Sequence, residues 1–246
     1  MYEVLYEAED FPSIDLTEYT ALYNNSEATV DELTEALNKL KAAVLEAQMQ
    51  GGGYDPSPED PLDLTESLLQ NPSFDDDVNG WENIGGMGHD PNGTPYSGAS
   101  YTSYEAGEPV EKVSELTSFC EKWINPGSVL GKEYGICQRV SLPEGLYRLE
   151  ADAIACQQSD GSVVASGVTL YVNNAIKYEV AVATANNTPK HYVIEFMSDG
   201  KTLTEVGFHI DASTNANWVA VDNFKLYSIG KTTLSAAGLQ LQNAIK

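Results

Sequence analysis

Positively charged residues are scarce in this sequence of 246 residues. There are 13 Lys and Arg against 37 Asp and Glu, and the formal net charge is −24 at pH 7. Phosphate backbones and anionic membrane surfaces are bound through clustered Lys and Arg. The composition therefore argues against nucleic acid and anionic lipid as partners, and we interpret the acidic excess as a source of solubility.

Long apolar segments are also absent. No run of about 20 apolar residues occurs, so the sequence predicts no segment that inserts into a membrane. It shows no secretory signal peptide either. Both ends of the sequence fall within helical patterns, and we therefore expect it to be a piece of a longer protein.

Cysteine is limited to three residues, Cys120, Cys137 and Cys156. An odd number is not expected of a disulfide framework, and the spacing of these residues fits no zinc site. We predict three small thiols that are buried or half-buried.

Catalytic motifs are lacking as well. His89, His191 and His209 are widely spaced without a metal-ligand pattern, and no Gly-x-Ser-x-Gly motif occurs. No pair among the 37 acidic residues stands out as the acid and base of a glycosidase. The sequence predicts a protein that is not an enzyme, with a hydrolase or lyase as the least favoured alternative.

What is present begins with helical periodicity over residues 1–50. Thr29 and Glu32 have the spacing of a capping box, and the apolar residues that follow recur at helical intervals. An earlier helical segment, residues 4–23, is interrupted at residues 11–13. The simplest prediction is a hairpin of two antiparallel helices, followed by a Gly- and Pro-rich linker over residues 51–63.

From residue 64 the apolar pattern changes to a period of two, which is typical of strands. The segments that show it are residues 135–142, 146–156, 167–172, 175–181, 191–197, 205–210 and 218–228. Turn residues separate them and no helical pattern intervenes, so we predict a mainly β antiparallel sandwich or barrel over residues 64–229. Helical periodicity returns in residues 230–246, where we expect the start of a further helix.

The first two long strands predict a hairpin with its turn at residues 143–145. Pairing Val140 with Leu149 places the apolar residues of both strands on one side of this hairpin. That register keeps Cys137 away from Cys156, and we expect no disulfide between them.

Three segments resemble the jelly-roll carbohydrate-binding modules that have a galactose-binding-like fold. Residues 69–75, followed by Gly80 and Trp81, are similar to their opening strand. Residues 137–147 are similar to their central hairpin, and residues 217–227 to their last strand. The order and spacing of the three segments agree with this family, and the resemblance implies an antiparallel jelly-roll β-sandwich.

The amino-acid sequence of these segments, with Trp123 ahead of the central strand, is similar to that of modules in large cell-surface or secreted proteins of gut Bacteroidetes. The helical flanks resemble short helical repeats that alternate with such modules. The resemblance thus implies an extracellular or cell-surface location and further domains in the parent chain.

The resemblance also implies a structural calcium ion. In such modules the ion often lies between the first and the last strand, which corresponds here to Asp75 and Asp222, with Asn71 as a further ligand. Calcium takes six to eight oxygen ligands from carboxylates and carbonyls. The same residues equally fit a solvated acidic turn at residues 75–77 and a strand end that Asp222 caps.

Aromatic residues between the first strand and the central hairpin are candidates for sugar contact. Sugar rings present C–H faces that pack on Trp and Tyr, and the loops of a rigid sandwich are where binding residues concentrate. The candidates are Trp123, Tyr96, Tyr101, Tyr104 and Tyr134. Trp81 and Trp218 lie in the fold motifs and are interpreted as core, whereas for Trp123 the core and ligand interpretations are balanced.

The sequence as a whole predicts a non-catalytic extracellular module that binds a polysaccharide or glycan within a larger surface protein. The alternative is a structural spacer or adhesion module without a sugar ligand. Exposed aromatic rings beside polar groups would favour the first, and buried rings without a groove would favour the second.

Overall fold

The computed structural model describes residues 1–51, 55–91, 118–160, 162–184 and 189–230. Within these ranges the helices are α1 Tyr2–Ala8, α2 Thr17–Tyr23, α3 Val30–Gly51 and α4 Thr65–Leu68. The strands are β1 Leu62–Asp63, β2 Glu82–Ile84, β3 Gly88–Asp90, β4 Phe119–Trp123, β5 Tyr134–Val140, β6 Glu144–Cys156, β7 Val168–Asn173, β8 Lys177–Ala181, β9 Lys190–Asp199, β10 Thr204–Ile210 and β11 Trp218–Gly230.

The N-terminal region contains three helices where the simplest prediction was two, because the earlier segment is non-helical over residues 9–16. The capping box forms at the start of α3, where Thr29 N donates to Glu32 Oε2 at 2.9 Å and Glu32 N donates to Thr29 Oγ1 at 3.3 Å. The earlier segment is broken into α1 and α2, which pack on α3 around Leu40 and Val44. No helix in the described ranges has the length and apolarity needed to cross a bilayer.

The β-strands form two antiparallel sheets that face each other across a shared core. One sheet has six strands in the order β3-β4-β11-β6-β9, with β1 paired to the far end of β11. The other has five strands in the order β2-β5-β10-β7-β8. The predicted mainly β, antiparallel jelly-roll sandwich is thus confirmed, whereas the helix predicted from residue 230 onward lies outside the described residues apart from Gly230, which ends β11.

Alternating residues of both sheets fill the interior. Its largest fully buried side chains are Phe74, Ile136, Tyr147, Leu149, Leu170, Phe196, Phe208 and Phe224. Full burial of one such apolar side chain contributes about 1.5–3 kcal/mol, so this interior supplies the main driving force for the fold.

The predicted hairpin between residues 135 and 156 is wrong in its pairing. β5 pairs with β2 and β10, whereas β6 pairs with β11 and β9 in the opposite sheet. Alternation determines which face of a strand is buried but not which strand lies beside it. Two strands that cover the same core from opposite sheets produce the same pattern as a hairpin.

The three cysteines are free and buried, as predicted. Burial raises the pKa of the Cys137 thiol to about 11 and that of the Cys156 thiol to about 12. The pKa of Cys120 is also raised, chiefly by burial. These thiols are therefore protonated and unreactive at neutral pH.

Candidate functional site

The aromatic residues predicted to contact sugar fall into three groups. Tyr96, Tyr101 and Tyr104 lie outside the described residues. Trp123 ends β4 in the six-stranded sheet, and 51% of its surface is exposed. Tyr134 begins β5 in the five-stranded sheet and packs partly against the core. The structure therefore places Trp123 and Tyr134 on different sheets, although Lys122, the residue before Trp123, reaches to 5.0 Å from the Tyr134 ring centroid.

The other two tryptophans have the core positions expected of them. Trp81 lies against Phe74 and Phe224, with ring centroids 5.3 and 4.6 Å away. Trp218 is buried, and its indole Nε1 donates to Glu121 Oε2 at 2.8 Å. Both side chains stabilise the sandwich.

The outer face of the five-stranded sheet carries polar side chains in rows that run across the strands. Every second residue of a strand points to the same face, so the strand register defines each row. The first row is Arg139, Glu205, Asn173 and Lys177. The second row is Glu82, Cys137, Gly207, Tyr171 and Glu179. The third row is Ile84, Gly135, His209, Thr169 and Ala181. We call these three rows the cross-strand face.

A tyrosine ring that is 9% exposed lies at the centre of this face, against Gly207. A Cβ atom at position 207 would come within 2.8 Å of Tyr171 Cζ and within 2.7 Å of the Ile136 carbonyl oxygen. Only glycine therefore lets Tyr171 lie across β10. The Tyr171 hydroxyl donates to Glu205 Oε1 at 3.0 Å, and Lys177 Nζ lies 5.9 Å from the ring centroid.

Ion pairs fix the charged groups of the first two rows. Arg139 bridges two strands, because Nη1 lies 3.1 Å from Glu82 Oε2 and Nη2 lies 2.7 Å from Glu205 Oε2. The hydrogen bond to Glu205 is the main reason that the pKa of Arg139 is raised. Lys177 Nζ pairs with Glu179 Oε2 at 2.5 Å on β8.

The side chains of the third row extend less far from the sheet than those of the first row, because most residues of the third row are small. His209 stands in its middle, and its Nε2 lies 3.0 Å from Oε1 of Glu133 at the margin of the face. Five strands at about 4.8 Å spacing make the face about 19 Å wide, which is room for several sugar residues. Carboxylate, guanidinium, amide and hydroxyl groups at fixed positions beside an aromatic ring can bind a ligand rich in hydroxyl groups.

The sequence contains one signal of this face. Gly135 and Gly207 lie inside alternating strands, where glycine weakens a strand and often marks the close approach of another group. Alternation indicates that the polar residues of these strands face away from the core. Which of them share a row depends on strand order, which the periodicity does not give.

The outer face of the six-stranded sheet has a second polar cluster around His191. Its Nδ1 lies 2.9 Å from Asp152 Oδ1, and its Nε2 lies 3.4 Å from Glu150 Oε2. The hydrogen bond to Asp152, followed by that to Glu150, raises the pKa of His191 to about 9. Asn223 Nδ2 donates to the second oxygen of Asp152 at 2.9 Å. The ionised groups of this cluster are thus engaged with one another.

Asp222 of the predicted calcium site lies at an irregularity in β11. The register with β6 shifts between Asp222 and Lys225, and Asn223 has a φ of 52°. Asp222 is 2% exposed, and burial raises the pKa of its carboxyl to about 9, with smaller contributions from Asp152 and Asp75. The backbone N–H of Asn223 donates to its Oδ1 at 2.6 Å.

Asp75 and Asn71 lie in the loop of residues 71–80, which runs along the same edge of β11. Asp75 is exposed, and the Phe224 N–H donates to the Pro72 carbonyl at 3.0 Å. The loop contains non-glycine residues with positive φ at Asn71 (49°), Phe74 (52°) and Asp77 (54°). Each such residue costs of the order of 1 kcal/mol, so its neighbours must hold the loop in place.

The side chain of Asn71 already holds this loop. Its Nδ2 donates to the carbonyls of Asp76, Asp77 and Asn79 at 3.0–3.2 Å, and its Oδ1 accepts the Asp76 N–H at 3.0 Å. Its carbonyl accepts the Trp81 indole N–H at 3.0 Å. Both oxygens of Asn71 are therefore in use within the loop.

Two of the three predicted ligands, Asp222 and Asp75, carry the carboxyl groups that calcium prefers. Asp222 supplies a buried carboxyl, and Asp75 is close enough to affect its pKa. In the described ranges no cluster of three or more His, Cys, Asp or Glu side chains could hold a metal. A calcium ion here would take its remaining ligands from backbone carbonyls and water, which calcium accepts.

Comparison with known proteins gives structural likeness only, because no family model and no curated protein matches the sequence. The chain is similar to a Stig cyclase from Fischerella sp. TAU in complex with an indole compound. Identity is 15%, the TM-score is 0.46, and the match covers 70% of this chain and 100% of the cyclase.

Two sugar-binding modules show a comparable likeness. TmCBM61 in complex with β-1,4-galactotriose has 17% identity and a TM-score of 0.40, covering 65% of this chain and 97% of that one. A family 16 carbohydrate-binding module has 16% identity and a TM-score of 0.39, covering 65% and 98%. At these values nothing about ligand or activity follows from the likeness.

Proposed function

We propose that this chain is a carbohydrate-binding module that binds a polysaccharide or glycan through the cross-strand face. The observation that carries the proposal is the set of exposed polar side chains held in rows across a rigid sheet, around the Tyr171 ring, which is only 9% exposed. A surface whose groups are already fixed loses little conformational entropy on binding. The resemblance of the strand motifs to jelly-roll carbohydrate-binding modules supports the same function.

Exposed polar groups flank the ring on both sides. Asn173, Lys177 and Glu179 are exposed at the β8 side, and Arg139 and Glu82 are exposed at the β2 side. Together they offer donors and acceptors for sugar hydroxyls along the width of the sheet. The predicted contacts with sugar remain Trp123, Tyr96, Tyr101, Tyr104 and Tyr134. Of these, the half-exposed Trp123 would form a separate site on the other sheet.

The proposed context is a non-catalytic role within a larger cell-surface or secreted protein, as in the Bacteroidetes modules that the sequence resembles. A structural calcium at Asp222 and Asp75, close to Asn71, is part of this proposal. The ion would join the loop of residues 71–80 to the last strand and would leave the cross-strand face unchanged.

A structural spacer or adhesion module without a sugar ligand remains the second candidate. The observation that favours it is that Arg139 and Lys177 are already paired with carboxylates of the protein. A solvated face of this kind needs no ligand to satisfy its charges.

A glycan array followed by calorimetric titration of the best ligand tests the function. We expect Asn173→Ala and Lys177→Ala to weaken binding about tenfold by removing exposed polar groups of the face. Trp123→Ala tests the separate site on the other sheet, and it should bind as the native chain does if the ligand uses the cross-strand face.

Three outcomes decide between the candidates. Loss of affinity in the two face variants, with unchanged melting temperatures, supports the cross-strand face. Loss in Trp123→Ala alone moves the site to the loop end of the six-stranded sheet. Absence of binding to every glycan on the array rejects the module function and favours the spacer.

A further inference from the structure

We infer that the cross-strand face selects uncharged sugars and rejects glycans that carry carboxylate or sulfate groups. This inference rests on the proposed function and concerns the ligand class of the same surface. It is carried by the arrangement of ionised side chains in the rows and at their margin.

Carboxylates outnumber permanent cations on this face. Among the described residues, the carboxylates of the face and its margin are Glu82, Glu133, Glu179 and Glu205, and the cations are Arg139 and Lys177. The local charge is therefore negative. An anionic ligand would approach against this charge.

The two cations are already engaged by carboxylates of the protein. Arg139 lies within 3.1 Å of Glu82 and 2.7 Å of Glu205, and Lys177 lies within 2.5 Å of Glu179. A uronate or sulfate that bound a remaining N–H group of Arg139 would lie beside the carboxylates of Glu82 and Glu205. These two carboxylates already balance the charge of the guanidinium, so the anion gains little from pairing with it.

A neutral sugar meets no such obstacle. Its hydroxyl groups can donate to the exposed carboxylate oxygens of Glu82 and Glu179, and a guanidinium keeps further N–H groups for acceptors while its ion pairs persist. Hydrogen bonds to a charged partner are stronger than those between neutral groups. The same carboxylates that repel an anion therefore improve the binding of a polyol.

Local charges determine this selectivity, rather than the net charge of −24. At physiological ionic strength the Debye length is about 8 Å, so exposed charges farther from the ligand are largely screened. Two carboxylates removed from the face should change selectivity, whereas two removed elsewhere should not.

The experiment compares ligands that differ only in charge. The probes are β-1,4-linked oligosaccharides of mannose and of mannuronate, of glucose and of glucuronate, together with the neutral ligand found on the array and its sulfated form. We expect each neutral member that binds to do so at least about tenfold more tightly than its acidic partner in 0.15 M salt.

Variants assign the effect to named carboxylates. Glu82→Gln/Glu179→Gln should narrow the ratio within a pair to about threefold, because two repulsive charges are gone. Glu3→Gln/Glu27→Gln changes the net charge equally at exposed positions, one in α1 and one in the turn between α2 and α3, and should keep the full ratio. Thermal melts verify that both double variants are folded.

The possible results separate the selectivity, its assignment to two carboxylates, and the module function. Equal or tighter binding of the acidic members overturns the selectivity and leaves the module function intact. An unchanged ratio in Glu82→Gln/Glu179→Gln overturns the assignment to these carboxylates. Absence of binding to every neutral and acidic probe overturns the module function, and the selectivity falls with it.

Discussion

At the scale of the residue, His191 shows how one side chain links the protein to pH. It begins the outer row of β9, between Asp152 and Glu150 of β6, and its side chain is 24% exposed. Arg148 and Glu195 form the next ion pair along the same two strands, at 3.0 Å. Because the pKa of His191 is raised to about 9 in the folded protein, the protonated form stabilises the fold.

The direction of the pH dependence follows from this raised pKa. The contribution is fully present below the unfolded pKa of about 6.5 and is lost as the pH rises through about 9. We expect His191→Gln to lose about 1–2 kcal/mol of unfolding free energy at pH 6, because solvent screening reduces the ~3 kcal/mol that the shift alone would give. Urea denaturation at pH 6 and at pH 10 measures the difference.

At pH 10 native and variant proteins should have nearly equal stability, since the imidazole is neutral in both states. His209→Gln, at a half-buried position on the other sheet, is the matched control. A loss that is the same at both pH values would show that His191 acts through packing rather than charge.

At the scale of the element, the loop of residues 71–80 and β11 form one edge that depends on Asp222. If calcium binds there, it stabilises the folded state by about 2.7 kcal/mol at a concentration one hundred times its dissociation constant. We expect the melting temperature of the native chain to rise by several degrees when calcium replaces chelator. Asp222→Asn should remove this rise.

Two controls make the calcium experiment specific. Asp76→Asn changes an exposed loop carboxylate and should keep the rise. In chelator, Asp222→Asn should melt close to the native chain, because a neutral amide of the same shape replaces a buried carboxyl. Identical native melts in calcium and chelator, with no metal by elemental analysis, would reject the ion.

The strands β5 and β6 show what the sequence could and could not predict. Alternation predicted β5 and β6 as strands and identified Tyr147 and Leu149 as core residues. It did not predict that these strands belong to opposite sheets, because the link of residues 141–143 resembles a hairpin turn. The short strands β2, β3 and β4 have too few residues to show a period.

The cross-strand face could not be predicted for a related reason. Glu82, Cys137, Gly207, Tyr171 and Glu179 form one row although they are spread over nearly a hundred residues of sequence. Only the strand order β2-β5-β10-β7-β8 brings them together. Candidate aromatic residues chosen from a single irregular region could not reveal a surface built in this way.

At the scale of the whole molecule, helix α3 is joined to the sandwich by Leu45. This residue is buried in the same apolar cluster as Leu64 and Leu68, whereas Leu40 and Val44 belong to the small cluster of the helices. The proposed division at residues 51–63 therefore separates segments that share a core. We expect the helices and the sandwich to unfold together.

The experiment follows both parts of the molecule at once. The three tryptophans all lie in residues 64–229 and report on the sandwich, whereas circular dichroism at the helical band reports on α1 to α3. Leu45→Ala should lower both transitions together, at a cost of about 2–4 kcal/mol. Val30→Ala, at an exposed position on the same helix, should change neither, and two separate transitions in the native chain would contradict the coupling.

The sandwich begins and ends at nearly the same point, because a Cβ atom on Gly230 would lie 2.9 Å from the Pro56 carbonyl oxygen. A force applied to the two ends would therefore act on the pairing of β1 with β11. The five-stranded sheet is not part of this pairing. A tether attached at both ends would strain the pairing of β1 with β11 before it strained the five-stranded sheet that carries the cross-strand face.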